Sequence, residues 1–458
     1  MMDQNTAAQI SEASLELLMD PGVRIEHDGL IAKLLDAGAR LGHDAQVVRF
    51  PPELVKDCLA RTPSEVFLAD RDGSGKMLSV TNETQNWTNP GMYIFRDGVH
   101  RTFTSKDLAD VSRLVDQVPN IDGMFGMALS DVPTNAQDVI GLRTMAENTS
   151  KHIRVLSFTA EGADVLCRMK DVVGDYSWFS VGFTAHGPLR WTYLALEIFA
   201  RTAGKGLLTT INGEPMAGAS GPTTLAGSAA VGNAEILAGL VINQLLEPGR
   251  PCIYNLGLAH IFDMKTSIAV TGAPENHLFA DISAAMGRYY NIPSCSWVST
   301  ESMSMDSQTG MEKSIGYFTH LQSGVSLIWG AGQLESELTI SPAQILIDSE
   351  AISYARRYLR GVTVNAETLA VDVTRSVGIA GHFLGEPHTM KHFRSEFFQP
   401  SLLFRKNRDN WDKRGSKLLA QVAEEKAEAL MANDVPAKLT AEQQAELRKI
   451  ENDYLATL

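Results

Sequence analysis

The stretch Leu207–Gly257 constrains the fold more than any other part of the chain. It reads LLTTINGEPMAGASGPTTLAGSAAVGNAEILAGLVINQLLEPGRPCIYNLG. An apolar run (Leu207–Ile211) enters a Gly-rich loop (Asn212–Thr224). A long apolar-faced helix follows, from about Leu225 to Leu246, then a turn at Pro248-Gly249 and a second apolar run, Cys252–Leu256. Runs this short and this continuously apolar suit strands of a parallel sheet buried on both faces. The loop after the first strand is long and polar, whereas the turn after the helix is short. In parallel α/β proteins that asymmetry marks the C-terminal ends of the strands as the side built for chemistry.

The same alternation recurs downstream. Candidate strands are Gly123–Leu129, Ile153–Phe158, Phe179–Phe183, Leu207–Ile211, Cys252–Leu256, Ser294–Val298 and Val325–Trp329, with helical patterns between them. An eighth strand is expected near Val377–Phe383, after two inserted helices over 342–372. Successive βα units without a GxGxxG fingerprint predict an α/β chain built on a closed (β/α)8 TIM barrel rather than an open doubly wound sheet. Residues 1–65 read as helices, and 66–103 as a small antiparallel sheet punctuated by Asp-Gly and Asn-Pro-Gly turns. Thr104 or Ser105 should cap a helix over Lys106–Val118. The expected organisation is an N-terminal helical and small-sheet extension (1–118), the barrel (119–404) and a C-terminal helical extension (405–458). In the last, Thr440 and Gln443 form a capping box for a peripheral helix.

Charge narrows the function classes. The 458 residues carry a net charge of −14, which argues against the basic stripe of a nucleic-acid-binding surface. The four cysteines form no paired spacing, so a reducing compartment is expected and a cytoplasmic location with it. The N-terminus lacks the basic and apolar regions of a signal peptide. No run reaches the roughly 18 to 20 apolar residues of a membrane span, so no membrane partner is expected.

In a barrel, the residues at the C-terminal strand ends carry function. Here they are His186, Asn212 with Glu214, Asn255, Glu301 and Glu335, with Trp297 and Trp329 at the same ends; Tyr93 and Phe95 come from the earlier small sheet. No HExxH or paired Cys/His spacing suggests zinc. His388 and His392 lie four apart, on one helix face, without a carboxylate in the motif, so no metal is expected. GASGPTT lacks the Lys of a phosphate loop, and Pro222 removes a backbone donor. No GxSxG elbow supports a serine hydrolase. Carboxylates with indoles suit a methylated ammonium, which donates no strong hydrogen bond and is held by aromatic faces and negative charge. Core packing for each tryptophan, and an ion pair for Glu214, are the plain competing explanations.

Long motifs carry a resemblance. PMAGASGPTTLAGSAAVGNAEILAG (Pro215–Gly239), FTAHGPLR (Phe183–Arg190), TGAPENHLFADISAAMGRYYNIPS (Thr271–Ser294), DSQTGMEKS (Asp306–Ser314), GAGQLESELTISPAQILIDSE (Gly330–Glu350) and GHFLGEPHTMKHFRSEFFQPSL (Gly381–Leu402) resemble the trimethylamine:corrinoid methyltransferase family. The resemblance implies a barrel that moves a methyl group from a methylated amine to the Co(I) of a corrinoid (cobalamin) on a partner protein, with no cofactor tightly bound to this chain. Founding members carry pyrrolysine, expected here around Gly332–Glu337, where ordinary residues stand. The chain therefore looks like a non-pyrrolysine, glycine betaine methyltransferase-like member, acting on a quaternary amine that needs no activation before in-line attack.

On that reading Glu214 is the catalytic carboxylate, with Glu301 or Glu335 adding negative charge. Tyr93, Phe95, Trp297 and Trp329 form the cation cage. His186, Arg190, Asn212, Asn255 or His388 hold a substrate carboxylate, and the glycines of Gly213–Gly221 let the corrinoid approach. A homo-oligomer is expected. Tetrahydrofolate as direct methyl acceptor, and a non-catalytic quaternary-ammonium binding protein, are the alternatives.

Overall fold

The computed structural model describes residues 2–435 and 439–458. Eight parallel strands close into a barrel: β1 (Gln85–Thr88), β2 (Gly123–Phe125), β3 (His152–Arg154), β4 (Phe179–Thr184), β5 (Thr209–Asn212), β6 (Cys252–Gly257), β7 (Ser294–Trp297) and β8 (Leu327–Ala331). The ring closes where Leu327 of β8 pairs with Gln85 of β1, and Trp87 with Gly123 of β2. A Cβ on Gly123 would lie 2.5 Å from the Trp87 indole nitrogen, so only glycine lets that indole cross the strand. Helices α1 (Ser105–Gln117), α2 (Gln137–Asn148), α3 (Ala160–Val173), α4 (Tyr193–Thr202), α5 (Leu225–Leu246), α6 (Pro274–Tyr290), α7 (Ser307–Ser323) and α8 (Pro342–Leu359) follow the strands in turn. The (β/α)8 architecture expected from the alternation is therefore present.

Its first unit lies elsewhere than expected. The stretch near Val377–Phe383 is no strand; Val371–Val377 is a short helix that buries none of its residues. The missing strand is β1, drawn from the segment read as a small antiparallel sheet. Its sequence, QNWT, is polar, yet all four residues are buried. Turn signals on both sides made it look like one more hairpin strand. The barrel thus begins before the boundary drawn at residue 119, and Pro342–Leu359 is its last helix rather than an insertion.

Two layers of core follow. Inside the barrel, Trp87, Phe125, Leu208, Ile253, Cys295 and Leu327 pack with Val66, Leu68 and Leu78. The last three come from the hairpin Val66–Ala69/Gly75–Leu78, which stoppers the N-terminal end. Between strands and helices lies the larger outer core. Helix α5 is long and apolar enough, by length and composition, to cross a membrane, contrary to the expectation that no segment is; 83% of its most apolar stretch is buried inside the protein. The N-terminal helix Gln4–Met19 packs on it, with Ser14 Oγ donating to the Ala230 carbonyl at 2.9 Å. Thr104 caps α1 through a capping box with Asp107. The helix Ala441–Leu455, capped by Thr440 and Gln443, packs peripherally on α2 and α3.

Candidate active site

All eight strands contribute to one cavity of about 220 Å³ at their C-terminal ends. Asn89 and Pro90 follow β1, and Phe125 ends β2. Arg154 and Ser157 come from β3 and its exit, Gly182 and Thr184 from β4. Asn212 and Glu214 lie at the exit of β5, Leu258 just beyond β6, Trp297 ends β7, and Trp329 and Glu337 come from β8 and the hairpin after it. Phe125 and Trp329 meet edge to face at 4.9 Å. Trp297 and Trp329 are 1% and 3% exposed, so these rings wall the cavity while belonging to the barrel core.

Two carboxylates enter without protein partners. Among the described residues, no hydrogen bond or ion pair engages Glu214 or Glu337. Burial pushes Glu214 up to about 8, with the Glu337 and Glu235 carboxylates adding to the shift. Burial also pushes Glu337 up to about 7, with Glu301 adding. Each therefore gains when a cation comes between them, because the cation offsets the cost of ionising in a poorly solvated site.

The segments that carry the two groups are built differently. Glu214 follows Gly213, where a Cβ would lie 2.4 Å from the Gly232 carbonyl of α5. At Gly221 a Cβ would lie 2.4 Å from Ser228 Oγ, and at Gly218 2.9 Å from the Met264 methyl. A side chain at any of these three glycines would collide with the chain's own packing. Glu337 sits at the tip of a hairpin, Gln333–Leu334/Thr339–Ile340. There Glu335, Ser336 and Glu337 have φ of 54°, 47° and 81°, three consecutive left-handed residues that are not glycine. Such backbone persists only where its surroundings over-determine it.

The surroundings do so. The Glu335 and Ser336 amides donate to the Ser302 and Thr300 carbonyls, each at 2.9 Å. Beneath them Lys313 Nζ donates to the Gly330 carbonyl at 2.7 Å and the Gln333 carbonyl at 3.2 Å. It also pairs with Asp348 at 2.7 Å, both side chains being 1% exposed. Asp348 accepts in turn from the Gly332 amide at 2.7 Å and the Gln344 amide at 2.8 Å.

The expected site residues divide. Glu214, Asn212, Trp297 and Trp329 meet in the cavity. Asn255 stands behind Asn212, donating to its side-chain oxygen at 3.0 Å. Glu301 does not enter. Its carboxylate accepts from the Thr271 and Gly272 amides and from Ser336 Oγ, holding loops together. Glu335 turns to His100 at 3.0 Å and to Thr339. Tyr93 packs tilted against His100, ring centroids 4.8 Å apart, and, like Phe95, belongs to the hairpin beside that sheet, outside the cavity lining. His186 is exposed. Arg190 lies 3.6 Å from Glu26. His388 contacts the Glu367 carbonyl on the surface helix Pro387–Glu396. The His388 and His392 rings lie 4.4 Å apart, with His392 3.2 Å from Glu367, and among the described residues no group of three metal-ligating side chains occurs.

Much of the lining lies outside the expected site residues, Phe125, Arg154, Ser157 and Glu337 among it. Arg154 had a signal, as a charge inside the apolar run of β3. Glu337 lay only within the segment Gly332–Glu337 that the resemblance marked, and nothing local singled it out, because its placement depends on the left-handed turn.

A closed parallel barrel whose eight strand ends converge on one acidic, aromatic-walled cavity is the build of an enzyme. The profile described as trimethylamine methyltransferase (MTTB) matches residues 1–456, and the chain belongs to that methyltransferase family. It is 31% identical over 461 residues to trimethylamine methyltransferase MttB of Desulfitobacterium hafniense, covering 96% of this chain and 91% of that one. It is 27% identical over 464 residues to a glycine betaine methyltransferase of the same species, covering 98% and 95%. Among solved structures, the Methanosarcina barkeri monomethylamine methyltransferase (MtmB) superposes with a TM-score of 0.54 at 13% identity, covering 94% of this chain and 88% of that chain. That likeness speaks to the fold alone.

Proposed function

We propose that this enzyme demethylates a quaternary amine of the glycine betaine type and passes the methyl group to the Co(I) of a corrinoid on a partner protein. The observation that carries the reading is the pair of unpartnered carboxylates, Glu214 and Glu337, in a cavity walled by Phe125, Trp297 and Trp329. A quaternary ammonium offers no N–H. It is held by π faces and by charge, and indole faces are the strongest of these. Trp297 and Trp329 exclude water from the cation, while Glu214 and Glu337 offset its charge. Glycine betaine methyltransferase stands among the relatives. The segment Gly332–Glu337, where pyrrolysine was expected, instead carries a carboxylate into the cavity.

A Co(I) corrinoid on the partner protein would supply, as methyl acceptor, the electron pair that bonds to the methyl carbon. As that bond forms, the N–C bond breaks with its electrons left on nitrogen, and a neutral tertiary amine remains. The ammonium loses its charge in that step. Glu214 and Glu337 must therefore orient the cation without over-stabilising it, and carboxylates whose pKa values are raised by burial suit that balance. The residues this chain contributes bind, align and dehydrate; none needs to move a proton.

Purified protein with glycine betaine and free Co(I) cobalamin should form methylcobalamin and dimethylglycine. Methyl-tetrahydrofolate formed in place of methylcobalamin would replace the acceptor. Tight betaine binding with no transfer to either would reduce the protein to a binder.

A further inference from the structure

The same cavity holds a second, cationic group. Arg154 is 5% exposed, and among the described residues no carboxylate pairs with it. Its Nη1 donates to the Val155 carbonyl. Its guanidinium lies 5.2 Å from the Phe125 ring centroid. Its Nε is buried without a partner. A Cβ on Gly182 would lie 1.9 Å from Nη2, so β4 leaves out a side chain where the guanidinium passes. Burial pulls its pKa down to about 9, the mark of a charge the fold does not neutralise. An uncompensated buried charge is costly, and a ligand can supply the counter-charge.

Arg154 has company. Ser157 Oγ, from the same strand exit, is buried with no partner, and so are the indole N–H groups of Trp297 and Trp329. All of these residues line the one cavity. Each unmet buried donor forfeits its hydration without a replacement bond. Arginine and the indoles only donate, a hydroxyl can donate, and a carboxylate only accepts, at about four lone-pair sites. The acidic and cationic groups of the cavity are also separate. Glu214 and Glu337 are carried by the exit of β5 and the hairpin after β8, Arg154 and Ser157 by β3. None of them pairs across it.

We infer that Arg154 and Ser157 form a carboxylate subsite, so that the substrate is a zwitterion with a quaternary ammonium at one end and a carboxylate at the other. The inference rests on the quaternary-amine reading of the cavity and adds the group at the substrate's far end. It replaces His186, Arg190 and His388 as the carboxylate's partners. It also sets specificity: a methylated amine without a carboxylate leaves the Arg154 charge and the Ser157 hydroxyl unmet, and a site built to bond a group rejects an analogue lacking it more strongly than an apolar pocket rejects a missing methylene.

Calorimetric titration of the wild-type enzyme tests this with three probes: glycine betaine, tetramethylammonium (the cation alone) and 3,3-dimethylbutanoate (the carboxylate with an uncharged tert-butyl group). Glycine betaine should bind at least a hundredfold more tightly than tetramethylammonium, and Arg154→Met should abolish most of that difference while leaving tetramethylammonium binding within about threefold. Ser157→Ala should weaken betaine binding about tenfold. Equal wild-type affinity for betaine and tetramethylammonium would overturn the subsite without any variant having to fold. So would an Arg154→Met enzyme that keeps wild-type betaine affinity. Arg154-dependent betaine binding with no methyl transfer to cobalamin would sink the methyltransfer reading and leave the subsite standing. A site that prefers 3,3-dimethylbutanoate to betaine would keep the subsite and sink the quaternary-amine reading.

Discussion

Two loops deliver the acidic groups, and they solve the same problem in opposite ways. After β5, glycine does the work: Gly213 lies against the Gly232 carbonyl at a distance no Cβ tolerates, and Glu214 follows from ordinary chain geometry. After β8, no glycine occupies the tip. Three residues with side chains take left-handed backbone, and a buried Lys313–Asp348 pair grips the carbonyls and amide at the hairpin's base. The first loop is fitted by omission and the second is held under load. Two like charges brought into one small cavity repel, so at least one must be fixed, and the strained hairpin is the one with a clamp.

The clamp is where the comparison breaks most easily. Lys313→Met leaves Asp348 buried without its cation, and breaking a buried pair from one side costs about 3–5 kcal/mol. Urea denaturation should show that loss. Lys313→Met combined with Asp348→Leu should recover much of it, because replacing both partners removes the orphaned charge. The double variant should still show a raised KM, since the Gly330 and Gln333 carbonyls lose their donor and the hairpin its hold. A double variant with wild-type KM would mean that the pair is structural only. On the β5 side, Gly213→Ala should cost about 1–3 kcal/mol through the Gly232 contact, with no change after Lys313 is altered.

The carboxylates come next. Glu214→Gln and Glu337→Gln should each lower kcat/KM about tenfold to a hundredfold, that is ~1.4–2.7 kcal/mol. Their pH behaviour sharpens the comparison. Both pKa values are raised, Glu337 to about 7 and Glu214 to about 8, so kcat/KM should rise with pH across that window as the free enzyme ionises. Stability runs the other way. A buried acid whose folded pKa lies above its unfolded value binds its proton more tightly when folded. It therefore contributes stability fully below about 4.5, losing it as pH climbs towards 8. Glu337→Gln removes one like charge from Glu214, so the remaining limb should shift below about 8. An unmoved limb would show that the two carboxylates do not share a ligand.

How much of this was legible in the sequence follows from the same physics. Short, continuously apolar runs and Gly-rich exits announce a barrel and point to Glu214, Trp297 and Trp329, because parallel strands buried on both faces leave a hydrophobic record. β1 left none. QNWT is buried but polar, and its place in the ring depends on partners hundreds of residues away in β8. Arg154 could have been found as a charge inside an apolar strand. Tyr93 and Phe95 failed for a different reason: their hairpin pairs with the sheet edge at Thr339–Ile340, and no local pattern says which side of the mouth an added hairpin takes.

The smallest effect separates two glutamates two positions apart. In an extended hairpin Glu335 and Glu337 would point to one face, and the sequence reading chose Glu335. The left-handed turn sends them apart, Glu337 into the cavity and Glu335 to His100 and Thr339. The Glu335–His100 pair is 24% and 44% exposed on its two side chains, and exposed pairs contribute about 0–1 kcal/mol. Glu335→Gln should therefore shift stability by less than about 0.5 kcal/mol, leave kcat/KM within twofold and keep the pH limb of the wild type. A Glu335 variant that matched Glu337→Gln in rate and pH profile would put the hairpin tip in the opposite hand, and with it remove the reason for the clamp.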